Sequence, residues 1–234
     1  MGTVTVLADT SMNIAVTELA RDYSSKKKII VSTSYAHSDE QETKIIEGEA
    51  ADILITPKHE WIEALKTQGL VDIYSQAPIA RNRLALIAPV KSTIQARISE
   101  KFPTTALIRE FGWQPSFLVG NPESLLEGVY GKEALRNLSV ASDLEEYTLY
   151  VKKLSQMFDL VSNHGMYGIF FYSSTIGRSG IRVIDLLPEN THKPIEYSAV
   201  VIAGDNMDEA RKFLAYLQTD DALKILRNNG FSTN

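Results

Sequence analysis

The residues best placed to do chemistry are hydroxyls beside acids at two helix starts, Asp9-Thr10-Ser11 and Ser38-Asp39-Glu40. Each follows a run rich in β-branched and small apolar residues and precedes a stretch of helical periodicity. A helix start leaves backbone N–H groups without partners and carries partial positive charge, so it offers a seat for an anion. Taken alone, each reads as a capped helix start. That the arrangement recurs later in the chain favours a binding role. Chemistry that needs a reactive side chain finds no support. The four histidines, His37, His59, His164 and His192, are scattered and show no metal-ligand spacing. His37 beside Ser38 lacks a G-x-S-x-G elbow and a third partner. Residues 128–132 do not form a phosphate-cradling G-x-x-x-x-G-K-[ST] loop. The chain has no cysteine, which excludes a thiolate metal site, a disulfide scaffold and a Cys nucleophile.

The elements that must position these turns alternate between strand and helix. Strand patterns lie at 4–8, 28–34 and 53–56, with helical patterns at 12–25, 38–47 and 60–68. Ser38 with Gln41 three residues on fits a capping box. This β-α-β-α-β order predicts a mostly parallel sheet covered by helices on both faces. A continuous apolar strand at 84–88 follows, and then the pattern begins again. It gives a helix at 104–111, a strand at 117–120, and Asn121-Pro122 as a helix-start pair leading through Tyr130 to Arg136. A long helix at 144–162, strands at 168–172, 181–187 and 197–203, and helices at 207–218 and 220–228 complete the chain. Two such α/β units suggest two lobes facing a cleft, with ligand outside the carboxyl ends of the strands.

With 234 residues the chain can bury a sizeable core, as one large domain or two modest lobes. Apolar residues make up 44% and charged residues 23%, ordinary for a globular protein, and the net charge of -5 argues against a nucleic-acid surface. The compact basic run, Lys26-Lys27-Lys28, closes the first helix, where cations complement the dipole. No apolar run reaches the length of a membrane span. No signal peptide precedes the first strand, as expected of an exported protein whose leader has been replaced by a start Met.

The ordered set of segments resembles a known family. It comprises the strand followed by xAxxS at 7–11, EGEAADILITP at 47–57 with Trp61 after it, and LALIAP at 84–89. GNPES at 120–124, GVYGKEAL at 128–135, YGIFFYSS at 167–174, PENTHKPIEYSAVVIAG at 188–204 and FLAYLQTDDALKILRNNGF at 213–231 follow. In this order and spacing they resemble the periplasmic molybdate-binding proteins of ABC importers, within the type II periplasmic-binding-protein fold. The resemblance runs from about Val4 to Phe231. It implies a two-lobed α/β receptor without enzymatic activity, located in the periplasm and working as a monomer. Lobe I would comprise residues 1–83 and 200–234 and lobe II residues 84–199, closing about a hinge near 84–88 and 196–201. No cofactor is implied. The ligand implied is a tetrahedral oxyanion such as molybdate or tungstate, and the partner is a membrane permease.

Carried over by position, the resemblance makes Ser11 and Ser38 ligand-binding hydroxyls, with Thr10 in the same turn. Glu127 stands where the family offers a backbone N–H from a small residue. Phe171 falls where the family places a ligand-binding Tyr, and Tyr172 follows directly. A fully deprotonated dianion offers only acceptors, so a carboxylate from Asp9, Asp39 or Glu127 facing it would oppose it. Two readings therefore stand. In one, the oxyanion site survives with Glu127 turned outward. In the other, the scaffold holds a different small polar or organic ligand, or serves as a ligand-sensing domain.

Overall fold

The computed structural model describes residues 2–112 and 114–233, and the side chains of Ser38 and Asp39 lie outside that description. The chain divides into two compact units, Met1–Arg81 with Ile195–Asn234, and Asn82–Pro194. The crossings thus fall at Arg81/Asn82 and Pro194/Ile195. The strand at Ile195–Val201 lies wholly in the first unit instead of being divided after residue 199.

In the first unit, β1 (Thr3–Asp9), β2 (Ile30–Ala36), β3 (Ile53–Thr56), β4 (Ala77–Asn82) and β10 (Ile195–Val201) form a sheet in the order β2-β1-β3-β10-β4. β1 runs parallel to β2 and β3, whereas β10 is antiparallel to β3. The sheet is therefore mixed, because β10 enters it after a crossing from the other unit. Every residue of β3 is buried, as a strand covered on both faces requires. On one face Leu7, Leu54 and Val200 pack with Ile45 of α2 (Ser38–Ile46) and with Ile62 and Leu65 of α3 (His59–Thr67). The other face receives α1 (Asn13–Lys27) and α8 (Met207–Tyr216), where Tyr23 meets Phe213 edge-on at 5.0 Å between ring centroids. α9 (Asp220–Asn228) packs on α1. Each such buried aliphatic or aromatic side chain contributes about 1.5–3 kcal/mol.

The second unit holds β5 (Leu84–Pro89), β6 (Phe117–Gly120), β7 (Thr148–Val151), β8 (Tyr167–Phe171) and β9 (Ile181–Leu186) in the order β7-β6-β8-β5-β9. β6 is parallel to β7 and β8, and β5 is antiparallel to β8 and β9. α7 (Leu154–His164) covers one face, where Met157, Phe158 and Val161 pack with Ala85, Ile87, Leu118 and Phe170. α5 (Leu126–Asn137) covers the other, and α4 (Thr104–Phe111) brings Phe111 to Phe117 and Tyr167.

Four local expectations are corrected. The long helix at 144–162 is present only in its second half, as α7 (Leu154–His164): a short helix α6 (Ala141–Leu144) and a 3-10 turn precede β7, and pairing of 148–151 with β6 overrides the helical period. Asn121-Pro122 does not start α5. Asn121 instead folds a turn, its Oδ1 accepting from Glu123 N at 2.8 Å and its carbonyl from Ser124 and Leu125 N. At the expected capping box at 38–41, His37 and not Ser38 occupies the cap position, without a side-chain bond, and Gln41 donates to the Ile55 carbonyl at 3.2 Å, while the Ser38 side chain lies outside the described residues. Strand β4 was not anticipated, because Pro78 interrupts its pattern.

Candidate functional site

Register determines which turns share an edge. In the first sheet Asp9 pairs with Ala36 and Ala8 with Ile55, so the carboxyl ends of β1, β2 and β3 lie side by side. The turns at 10–12, 37–38 and 57–58 therefore line one edge of this sheet, where ligands of open α/β sheets bind. Because β10 is antiparallel to β3, with Ser198 opposite Thr56, its amino end reaches the same edge and carries Tyr197 there.

At that edge β1 ends in Asp9, which caps a 3-10 turn at Thr10–Met12 that runs on into α1. Asp9 is only 3% exposed. Its Oδ1 accepts from Ser11 N at 2.9 Å and from the Ser11 hydroxyl at 2.5 Å. The second bond has the short length of a charge-assisted contact. Ser11 Oγ also lies 2.7 Å from the hydroxyl of the fully buried Tyr197. Since an ionised carboxylate can only accept, the Ser11 proton points to Asp9 and Tyr197 donates to Ser11. Tyr197 is braced by Phe231 edge-on at 5.7 Å. The relay thus runs from Tyr197 O–H to Ser11 Oγ to Asp9 Oδ1. Thr10 is half-buried in the same turn.

Ser38 is the first residue of α2, next along the edge; its side chain, like that of Asp39, lies outside the described residues. Past β3, Lys58 precedes α3 and brings a cation to this edge, its Nζ 3.8 Å from Glu60 and 5.9 Å from the Trp61 ring centroid. Sequence reasoning passed over Lys58, which belongs to no binding motif. The Pro57-Lys58 pair directly after a buried strand was the available signal.

In the second sheet the carboxyl ends of β6, β7 and β8 align in the same way, and antiparallel β5 places Asn82 and Arg83 at that edge, with Leu84 opposite Phe171. Asn82 is buried and knits the edge together. Its Nδ2 donates to Ser173 Oγ at 2.8 Å and its Oδ1 accepts from Arg83 N at 2.9 Å. Glu127 lies in the first turn of α5, where a negative charge complements the dipole, but it is only 4% exposed and is not turned to solvent. Three residues on, and so on the same helical face, Tyr130 sets its ring 6.1 Å from Phe171 and 5.9 Å from His192.

Phe171 is fully buried on the α5 face of the sheet. Tyr172 does not share that place. Alternation sends its ring to the other face, where it packs with the Phe158–Phe170 cluster, and its backbone N–H donates to Arg83 O at 2.8 Å. The structure therefore gathers Glu127 and Phe171 around Tyr130 and separates Tyr172 from them. Tyr130 sets its ring beside Phe171, and the sequence reading noted it as part of the helical pattern. Its i,i+3 spacing from Glu127 was the signal. Among the described residues, no cluster of His, Asp and Glu is arranged to hold a metal ion.

Comparison with known proteins extends these observations. Residues 4–232 match the family described as bacterial extracellular solute-binding protein. The chain is 28% identical to the molybdate-binding protein ModA of Escherichia coli (strain K12), over 99% of this chain and 89% of that protein. It is 29% identical to the ModA of Haemophilus influenzae, over 98% of this chain and 89% of the relative. The periplasmic molybdate-binding protein of Azotobacter vinelandii superposes with a TM-score of 0.80, at 18% identity and 99% coverage of both chains. That likeness establishes the periplasmic-binding-protein fold.

Proposed function

The chain belongs to the bacterial extracellular solute-binding proteins, which are not enzymes, and on that premise we propose that it captures a tetrahedral oxyanion of the molybdate and tungstate class and delivers it to the permease of an ABC importer. The observation that carries this reading is the likeness, over nearly its whole length, to two molybdate-binding relatives. The turns at Thr10–Ser11 and Ser38 support it, because each sets a helix start at the carboxyl edge of one sheet. Backbone N–H groups there replace water by fixed dipoles at no reorganisation cost. On this reading the protein works in the periplasm or on the outer face of the cell. Thr10 and Ser38 supply donors at the carboxyl edge of the first sheet, where Ser11 is the turn residue held by Asp9, and Glu127, Phe171 and Tyr172 are the candidate positions at the edge of the second.

A second reading, a small organic solute carrying an amine or hydroxyl, draws on the burial of Asp9 and Glu127, two carboxylates at sheet edges. A thermal-shift series at fixed ionic strength with molybdate, tungstate, sulfate, phosphate and no addition separates the two. Ligand at a thousand times its dissociation constant stabilises the native state by about 4 kcal/mol, a rise of roughly 8–16 °C for a chain of this size. A rise with one or more oxyanions supports the first reading. No rise with any of them refutes it.

A further inference from the structure

Arg83 brings a cation to the carboxyl edge of the second sheet. Its carbonyl accepts from Tyr172 N at 2.8 Å, just past the end of β8, and its own N–H donates to Asn82 Oδ1 at 2.9 Å, so its backbone is fixed there. The side chain follows the same edge, because its Nη2 donates to the Leu187 carbonyl at 3.1 Å. Leu187 follows β9, whose carboxyl end reaches that edge because β9, like β8, is antiparallel to β5. A guanidinium carries five N–H donors in a planar fork. In Arg83 the Nε atom is buried and yet makes no hydrogen bond. The acid beside it, Glu189, sets its Oε1 3.3 Å away, but the Glu189 side chain is 74% exposed and that of Arg83 30%. An ion pair so open to water is weakly held.

A dianion that leaves water gives up hydration that neutral donors restore only in part. A guanidinium supplies a whole positive charge, together with parallel N–H bonds to two oxygens of one anion. A carboxylate and a tetrahedral oxyanion both present a pair of oxygens to that fork. We propose that Arg83 is a further ligand-binding residue, supplying the countercharge for the oxyanion at the edge of the second sheet, and that the Glu189 carboxylate competes with the ligand for the same fork. This rests on the oxyanion reading above and adds a charged donor to it. Binding exchanges one anion for another. The exposed Glu189 swings into solvent, the Leu187 bond keeps the arginine at the edge, and the donors not bound to Leu187 turn to the ligand.

The test is isothermal titration of the full chain with molybdate, tungstate and sulfate at neutral pH and two ionic strengths. The same titrations are run on Arg83→Gln, Arg83→Lys and Glu189→Gln, with circular dichroism melts to confirm that each is folded. Arg83→Gln should weaken every oxyanion that the parent chain binds by about tenfold or more, and should flatten the dependence on ionic strength. Arg83→Lys should keep that dependence and lose part of the affinity, because an ammonium lacks the fork. Glu189→Gln removes the competitor and should tighten binding by about threefold. An arginine that only staples the connection at 187–189 predicts otherwise: loss of the pair would then weaken binding or leave it unchanged, and that result overturns the inference. A folded Arg83→Gln protein with affinities within about twofold of the parent overturns it too. The oxyanion reading survives either result. A parent chain that binds none of the three anions refutes the oxyanion reading itself, and the role of Arg83 with it. If neither Arg83 variant folds, Glu189→Gln decides alone.

Discussion

Two glycines three residues apart in α5 should respond to the same substitution with opposite sign. At Gly128 an added Cβ would stand 2.1 Å from the Gly120 carbonyl oxygen, 2.5 Å from its carbonyl carbon and 2.9 Å from the carbonyl carbon of Asn121. All three are backbone atoms at the end of β6 and in the turn that follows, so no side chain can rotate out of the way. Carbon contacts favour about 3.5–4.0 Å, so the helix would have to lift by on the order of 1 Å. Overpacking a core costs about 1–3 kcal/mol and sometimes more, and a clash with fixed backbone belongs at the upper end, about 3 kcal/mol or beyond. At Gly131 the added carbon would lie 3.5 Å from Ile169 Cγ2 and 3.7 Å from Val119 Cγ1, ordinary contact distances. There the helix preference of Ala over Gly should prevail, a gain of up to about 1 kcal/mol. The two variants should therefore differ by roughly 4 kcal/mol, or about 8–16 °C in Tm. Thermal melts of Gly128→Ala, Gly131→Ala and the parent chain measure this directly. A Gly128→Ala protein melting within about 2 °C of the parent would refute the close approach of α5 to β6. Because this approach also seats Glu127 and Tyr130, Gly128→Ala should weaken ligand binding beyond what its stability loss explains, whereas Gly131→Ala should not.

Further expectations concern the two turns and the helical layer behind them. Ser11→Ala and Ser38→Ala should each lower oxyanion affinity in titration calorimetry; unchanged affinity in both would remove these turns from the site. Tyr197→Phe keeps the ring against Phe231 but deletes the donor to Ser11 Oγ, and should cost roughly 1 kcal/mol in urea denaturation. A loss under a few tenths of that would place the relay outside the stabilising interactions. For Asp22, burial pushes the carboxyl up, but hydrogen bonds from Lys26 and Tyr216 together outweigh it and hold the group below its ordinary range. A depressed carboxyl stabilises the fold above its unfolded value of about 3.9 and loses that contribution as pH falls through the folded value. Asp22→Asn should thus lower stability at neutral pH and flatten the acid limb below about pH 4, read from denaturation midpoints across pH 2–7. Parallel curves for the two proteins would contradict this. Burial, then the bond to Asp22, raises the Tyr216 hydroxyl above its usual range, so Tyr216 should stay protonated in ultraviolet titration up to the pH of alkaline unfolding.

Much of the fold could be read directly from residue pattern. β1, β3 and β6 announce themselves by short β-branched or apolar runs, and α9 begins at the Thr219 cap and ends before Gly230 as its sequence suggests. What escaped was decided by partners distant in sequence. Thr148-Leu149-Tyr150-Val151 has good strand formers, yet four residues flanked by helical periodicity yield to the longer pattern unless one knows that β6 lies alongside. Gln41 has the spacing of a capping residue, but Ile55 offers its carbonyl from another strand. The site shows the same division. The helix starts at Ser11 and Ser38 were visible as residue types. That Asp9 takes both Ser11 hydrogens was not, because it depends on two bond lengths and on Tyr197, which lies 186 residues away. Likewise Tyr172 follows Phe171 in sequence, and only the pleat of β8 shows that the two rings part to opposite faces.

The place of β10 in the first sheet has a consequence for how the chain folds as it is made. β10 lies between β3 and β4, yet over a hundred residues of the second unit are translated between β4 and β10. At about 5–20 residues per second, ribosomal synthesis leaves β1, β2 and β3 without the strand that pairs with β3 for roughly 7–28 s. During that interval the backbone donors and acceptors along the outer side of β3, a fully buried Ile-Leu-Ile-Thr strand in the native fold, have no native strand to pair with. The second unit, continuous from Asn82 to Pro194, carries all its strands and can complete itself first. The half that starts the chain is thus the half that finishes folding, and its vulnerable moment for misassembly comes before residue 195 leaves the ribosome.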